Sequence, residues 1–113
     1  QLSNVSYAFD GETIRISVTD GRAKTKNLRR DPRASFYVTR EGYRAYAVAE
    51  GIASLSEVTR EPNDAAADEL VETYRAIRGE HPDWDEYRAA MVADERLVVR
   101  IPVDRIYGLD MEA

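Results

Sequence analysis

The sequence predicts a mainly β domain with α insertions, and three observations lead to that prediction. Apolar and polar residues alternate over several short segments, as they do in strands with one buried face. Turn dipeptides such as Asp10-Gly11 and Glu41-Gly42 separate these segments. Two further segments carry apolar residues at helical spacing. Five or six short strands, joined mostly as hairpins, would leave exposed edges in an open sheet, so we expect a small closed or split barrel.

Length and composition indicate one domain covering residues 1–113, with 43% hydrophobic and 33% charged residues. No apolar run has membrane-spanning length and no export signal is visible, so we expect a cytoplasmic protein without a membrane partner. The absence of cysteine excludes disulfides and thiolate metal sites. The single histidine, His81, argues against a histidine-rich metal site or a Ser-His-Asp hydrolase, and a surface or capping role is favoured for it.

Two hairpins are predicted in the first half of the chain. In the first, apolar residues alternate on both sides of the Asp10-Gly11 turn: Val5, Tyr7 and Phe9 before it, and Ile14, Ile16 and Val18 after it. The second has Ala34, Phe36 and Val38 on its outgoing strand. Its return strand is predicted as one long element over residues 43–55, with a bulge at Glu50-Gly51.

The second half predicts two helices and the last strands. Asn63 or Asp64 would cap the first helix, whose apolar stripe ends at Gly79. Asp83 and Glu86 resemble a capping box at the start of the second helix. Alternating residues from Leu97 onward predict strands that reach Leu109, with an edge or bulge where Pro102 cannot donate to a ladder.

The segment 21–35 is strongly basic in a chain of formal net charge −5. Six cations fall within a dozen residues: Arg22, Lys24, Lys26, Arg29, Arg30 and Arg33. Nothing in residues 23–30 opposes a helix, and Asp31-Pro32 would end it.

Two interpretations of this short helix stay open. Its first turn could form an anion cradle, with unpaired N–H groups, charges from Arg22 and Lys24, and neutral donors from Thr25 and Asn27. Ser17, at the end of the preceding strand, would lie at its mouth. Alternatively, the helix is only a solvated basic surface. Nucleic-acid binding is disfavoured, because the whole chain is acidic and no aromatic residues interleave the cations.

Residues 22–35 resemble the signature of the pyridoxamine 5′-phosphate oxidase-like superfamily of flavin and deazaflavin oxidoreductases, and especially its coenzyme F-420-binding branch. Residues 1–5, 46–51 and 101–108 are similar to that branch in the same order, so the resemblance spans nearly the whole chain. It implies a split β-barrel of the FMN-binding type that forms a homodimer, with cofactors in grooves between the subunits. In this family a helix and a first strand precede the segment that corresponds to residues 1–5. We therefore expect that residues 1–113 lack this helix and this strand.

The resemblance also implies the cofactor-binding residues. These are Arg22 and Lys24 at the phosphate, Thr25 and Asn27 beside them, Gln1, Asn4 and Ser17 along the ring or its side chain, and Tyr46 on the return strand. No catalytic side chain is assigned, since a flavin or deazaflavin carries the hydride on its own ring.

The implied function is an F-420-dependent reductase that transfers hydride to a small conjugated or heteroaromatic acceptor. The alternatives are an FMN-binding enzyme of the same superfamily and a cofactor-binding protein without turnover. Charge does not separate the two cofactors, because both carry a phosphate. Neither nucleic acid nor a metal ion is an expected partner.

Overall fold

The computed structural model describes residues 6–39, 45–103 and 105–110, and the side chains of residues 6–35 and 50–103. This part of the chain forms seven strands and three helices. In chain order they are β1 (Ala8–Phe9), β2 (Thr13–Thr19), α1 (Ala23–Arg30), β3 (Arg33–Thr39), β4 (Ala45–Ile52), β5 (Ser54–Leu55), α2 (Ala65–Arg78), α3 (Trp84–Ala93), β6 (Arg96–Pro102) and β7 (Arg105–Asp110). The prediction of a fold that combines β-strands with α insertions is confirmed in its coarser form, since strands and helices contribute similar numbers of described residues.

The strands form two antiparallel sheets. The four-stranded sheet has the order β1-β2-β6-β5, and the three-stranded sheet has the order β3-β4-β7. No strand pairing among the described residues joins the two sheets, so they do not form one closed sheet. The first hairpin is confirmed, with Phe9 opposite Ile14. The strands of the second hairpin pair as expected, whereas its turn at Glu41-Gly42 lies outside the described residues.

The prediction of one long return strand over residues 43–55 was wrong. The chain forms β4 in the three-stranded sheet and then β5 in the four-stranded sheet. The predicted bulge at Glu50-Gly51 is also absent from the ladder with β3, because consecutive residues of β3 and β4 pair through Gly51 to Ile52. The strand therefore leaves its sheet at its end, and the strand count rises to seven.

The two sheets meet where the backbone of Gly51 lies against that of Pro102. A Cβ atom placed on Gly51 would lie 2.0 Å from the carbonyl oxygen of Pro102. After Pro102 the chain leaves β6, in the four-stranded sheet, and continues as β7 in the three-stranded sheet. Two of the three connections between the sheets, β4 to β5 and β6 to β7, thus pass the same point, where only a residue without a side chain fits, whereas the third runs from β2 through α1 to β3.

The core has two parts, one on each face of the four-stranded sheet. Ile14, Ile16, Ala53, Val99 and Ile101 form the first cluster, against which Leu28 of α1 and Ala34 of β3 pack. Leu70, Val71, Tyr87 and Val98 form the second cluster, under α2 and α3. Strand β6 is buried on both faces because neighbouring residues belong to different clusters.

The predicted cap by Asp64 and the Asp83 half of the predicted capping box are confirmed, whereas the Asp83 N–H donates to His81 and not to Glu86. The Asp64 side chain accepts a hydrogen bond from the Ala67 N–H at 2.8 Å, and Asp83 accepts one from the Glu86 N–H at 3.1 Å. Gly79 ends α2 with a φ of 86°. The carboxylate of Glu69 then fastens α2 to the sheet, because Arg100 donates two hydrogen bonds of 2.6 Å to it. These bonds lower the pKa of Glu69.

We expect the substitution Gly51→Ala to lower the free energy of unfolding by at least about 2 kcal/mol, because the added methyl group overlaps a backbone oxygen that cannot move freely. Denaturant unfolding at constant pH measures it. Gly21→Ala is the matched control, since a Cβ at Gly21 meets nothing within 4 Å. Equal unfolding midpoints for the two variants would contradict the close approach of the sheets.

The cap of α2 predicts a dependence of stability on pH. Desolvation opposes ionisation of Asp64, but hydrogen bonds from the Arg60, Ala67 and Glu61 N–H groups and from the Thr59 hydroxyl outweigh it and lower its pKa to about 2. Because this pKa is depressed in the folded state, the stabilisation is complete above pH 4 and is lost as the pH falls towards 2.

We expect Asp64→Ala to cost about 1–2 kcal/mol of unfolding free energy at pH 6, and the difference from the native chain to shrink between pH 4 and pH 2. Denaturant unfolding at several pH values over this range tests it. Asp85→Ala, which removes an exposed carboxylate from the first turn of α3, is the control. A difference for Asp64→Ala that is constant with pH would show that the carboxylate does not act through its charge.

Candidate functional site

The start of α1 is held against the end of β2. The Thr25 side chain is only 1% exposed, and its hydroxyl donates a 2.8 Å hydrogen bond to the carbonyl oxygen of Thr19. The N–H of Asp20 donates to the Glu95 carbonyl at 2.9 Å, which ties the same turn to the start of β6. The helix therefore begins at a defined place, although its first turn is on the surface.

This helix start is uncapped and basic. Arg22 occupies the N-cap position without a side-chain hydrogen bond to the helix, and the first turn contains no acidic residue. Arg22, Ala23 and Lys24 are exposed. By contrast, α2 and α3 have aspartate caps and acidic residues in their first turns. The N–H groups and the positive dipole end of α1 can therefore receive an anion.

The other arginines of the basic segment are held by neighbouring side chains. Arg29 pairs with Asp20, Arg30 donates to the Asn27 side-chain oxygen, and Arg33 pairs with Asp31 at 2.8 Å. The Arg33 hydrogen bonds lower the pKa of Asp31 to about 2. Arg22 forms no ion pair within the part of the chain that the structure describes. Its charge is therefore available at the helix start.

Ser17 lies in a cavity of about 350 Å³ that α2, α3 and the four-stranded sheet share. The Arg96 guanidinium donates a 3.2 Å hydrogen bond to the Ser17 hydroxyl oxygen. In the register of β2 and β6, Arg96 is opposite Thr19, the residue that accepts from Thr25. The cavity thus adjoins the strand end that leads into α1.

The structure brings three of the eight predicted site residues together. Arg22, Lys24 and Thr25 are brought together at the start of α1, Thr25 beneath its surface and the other two exposed. Ser17 lines the cavity, and Asn27 is exposed further along α1. Gln1 and Asn4 lie outside the described residues. Tyr46 is described only by its backbone in β4, opposite Thr39 and Leu109.

The sequence pattern did not indicate Arg96 as a site residue. Its Nε atom is buried and has no hydrogen-bond partner within the described residues. The nearest carboxylate oxygen in its ion pair, from Asp94, is 3.9 Å away, which is too far for a hydrogen bond. Arg96 simply precedes the apolar run of β6, so only the register with β2 places it beside Ser17.

Four aromatic side chains form a cluster on α2, α3 and the loop between them. Tyr74, His81, Trp84 and Tyr87 contact one another with ring centroids 4.9–5.7 Å apart. Tyr74 and Tyr87 also line the cavity, and burial raises the pKa of Tyr87. His81 accepts the N–H of Asp83 at 2.9 Å, which is the capping role favoured from sequence. The Trp84 indole donates to Glu80 at 3.2 Å.

The described residues contain neither a candidate metal site nor a candidate membrane-spanning helix. No group of three or more potential metal-ligating side chains occurs there. None of the helices in the described ranges is both long and apolar enough to cross a bilayer.

Comparisons with known structures agree on the fold. A conserved hypothetical protein, Rv2991, from Mycobacterium tuberculosis is 23% identical with a TM-score of 0.65, and the match covers 95% of this chain and 66% of that one. An F-420 reductase is 18% identical with a TM-score of 0.63, covering 95% and 78%. An FMN-binding protein from Nostoc punctiforme, related to pyridoxamine 5′-phosphate oxidase, is 9% identical with a TM-score of 0.61, covering 96% and 67%.

These low identities show the fold alone, and the family is assigned by a match of the sequence itself. The sequence profile of the pyridoxamine 5′-phosphate oxidase family matches residues 1–110. This match includes both sheets, the uncapped start of α1 and the cavity beside β2. It confirms the superfamily indicated by the basic segment, and the chain belongs to the pyridoxamine 5′-phosphate oxidase family.

Proposed function

We propose that the protein is an oxidoreductase that binds coenzyme F-420 and transfers hydride from its reduced form to a small conjugated or heteroaromatic acceptor. The uncapped basic start of α1 is the observation that carries the proposal. The fold of this family binds flavin-type cofactors, and an exposed helix start with two cations suits the phosphate that such cofactors carry.

The residues of this chain have distinct tasks in the proposal. Arg22 and Lys24 hold the phosphate, together with the first N–H groups of α1. Thr25 positions this turn through its bond to Thr19 and does not need to face the phosphate itself. Ser17 lies along the ring or its side chain, and Asn27 supports the basic face of α1. Gln1, Asn4 and Tyr46 complete the site in this proposal.

When bound, a deazaflavin would supply the hydride from its own ring. The protein needs only to bind, orient and shield it. Tyr74, Tyr87 and Met91 line the cavity beside Ser17 and would exclude water from an acceptor there. No side chain is assigned as a proton donor.

The choice of F-420 rests on motif similarity and is supported by the likeness to an F-420 reductase. FMN is the second candidate, because the FMN-binding Nostoc protein has a similar fold. Both cofactors would place a phosphate at the same helix start. The choice between them therefore depends on ring recognition and not on charge.

We propose in addition a cytoplasmic homodimer of split β-barrels with the cofactor groove between subunits. Ile52 at the end of β4 and Phe9 in β1 are 52% and 46% exposed. A second subunit that covered either side chain would remove from water apolar surface that a single chain leaves exposed. A second copy of the chain would also supply further walls for the open cavity at Ser17.

We expect the native protein to bind oxidised F-420 tightly and FMN weakly in parallel fluorescence titrations. Turnover is then tested by mixing the reduced cofactor with a panel of conjugated acceptors. Tight FMN binding with weak F-420 binding would assign the protein to the flavin branch. Tight F-420 binding without oxidation by any acceptor would favour a cofactor-binding protein without turnover.

We expect Lys24→Ala to weaken F-420 binding by about 1.5–3 kcal/mol, the usual scale of a lost charge-assisted hydrogen bond. Arg22→Gln should weaken it similarly. The matched control is Arg60→Gln, which removes an exposed cation from the loop before α2 and should leave affinity unchanged. Unchanged affinity in both Arg22→Gln and Lys24→Ala would disprove the phosphate assignment.

A further inference from the structure

The cavity beside Ser17 differs in charge from two other cavities in the described part of this acidic protein. Arg78 and Arg96 line it, and no acidic residue of the described part of the chain does. Two further cavities, of about 410 and 470 Å³, both contain Glu69. Their additional acidic residues are Glu57 and Asp64 in one, and Asp10, Asp68 and Glu72 in the other. Arginines line these two cavities as well, Arg60 and Arg100 in the first and Arg15 in the second, so they are less acidic than the carboxylates alone indicate. The acidic residues still outnumber the arginines in both, and an anion is therefore drawn to the Ser17 cavity in preference to them.

Arg96 has hydrogen-bonding capacity to spare. A guanidinium carries five N–H donors, and the bonds from Arg96 within the described residues come from one nitrogen, at 3.2 Å to the Ser17 hydroxyl and 3.5 Å to its carbonyl. Its Nε–H is buried without an acceptor. The side chain is 31% exposed, so its outer edge can be reached. A carboxylate matches such an edge, because its two oxygens accept two parallel N–H bonds.

The rest of the lining suits a flat apolar body. Tyr74, Ile77, Tyr87 and Met91 contribute aromatic, aliphatic and thioether surface. The Tyr87 hydroxyl is already used, since it donates to the Leu70 carbonyl at 3.1 Å. A volume of about 350 Å³ lies at the lower end of the range for small-molecule sites, so the ligand would be small.

We infer that this cavity binds the carboxylate of the hydride acceptor through Arg96, so that the enzyme selects a small conjugated acid. The inference rests on the proposed function, because Ser17 is also the residue placed along the cofactor ring. Arg78 lies at the exposed side of the cavity, near Ser6, and attracts the acid without holding it. The carboxylate and the conjugated body of one molecule would thus meet Arg96 and the tyrosines together.

The test is calorimetric titration of the native protein with trans-cinnamate and with the neutral, similarly shaped cinnamamide. We expect cinnamate to bind at least about tenfold more tightly, as a charge-assisted pair requires. Arg96→Gln should remove this preference and leave cinnamamide binding unchanged, whereas Arg96→Lys should keep part of it. Equal binding of acid and amide to the native protein would overturn the inference.

Arg78→Gln provides a second variant in case Arg96→Gln does not fold. It should weaken cinnamate binding about two- to threefold, as expected for an exposed charge, and high salt should abolish its effect. Arg60→Gln is again the control. No effect of Arg78→Gln at low salt would count against the charged lining.

Repeating the titration with saturating F-420 separates the two proposals. Undiminished cinnamate binding supports an acceptor site beside the cofactor. Loss of cinnamate binding by competition would overturn the inference, because the cofactor itself would then occupy the cavity. Cinnamate binding that depends on Arg96 in a protein that does not bind F-420 would retain the acid site and reject the proposed cofactor.

Discussion

The close approach of Gly51 to Pro102 determines how the two sheets of this protein cross. Both β4 and β6 end at this contact and continue in the other sheet, so the chain passes twice between sheets at one point. The 2.0 Å distance from a would-be Cβ to the Pro102 oxygen leaves no room for a side chain. This crossing fixes the relative positions of the sheets. The first core cluster, and the packing of Leu28 of α1 against it, depend on those positions.

The functional site follows from an asymmetry between the three helices. Two helices, α2 and α3, start with aspartate caps that accept hydrogen bonds from N–H groups of the first turn. Acidic side chains there compensate the positive end of each helix dipole. The third, α1, starts with an arginine and has its first turn anchored from below by Thr25. The acidic caps of α2 and α3 therefore have a structural role. At α1 the chain presents a helix start without a side-chain cap and with exposed cations, beside a cavity whose described lining carries Arg78 and Arg96.

Local features of this fold were predictable from sequence, and long-range ones were not. The caps at Asp64 and Asp83 follow from residues within one helical turn, and both are confirmed. The break between β4 and β5 was missed because it depends on Pro102, which lies 51 residues after Gly51 in the chain. Arg96 was missed for the same reason, since only strand register brings it to Ser17. Alternation alone cannot show which sheet a strand joins.

The most direct test of the central claim is to follow backbone amide NMR signals while F-420 is added to the native protein. Each helix start then serves as a control for the others. If the phosphate binds at α1, the largest shifts will be in the amides of Arg22, Ala23 and Lys24, while those of Ala65 and Trp84, at the capped starts of α2 and α3, will change little. Saturating binding that leaves the α1 amides unmoved would contradict the account.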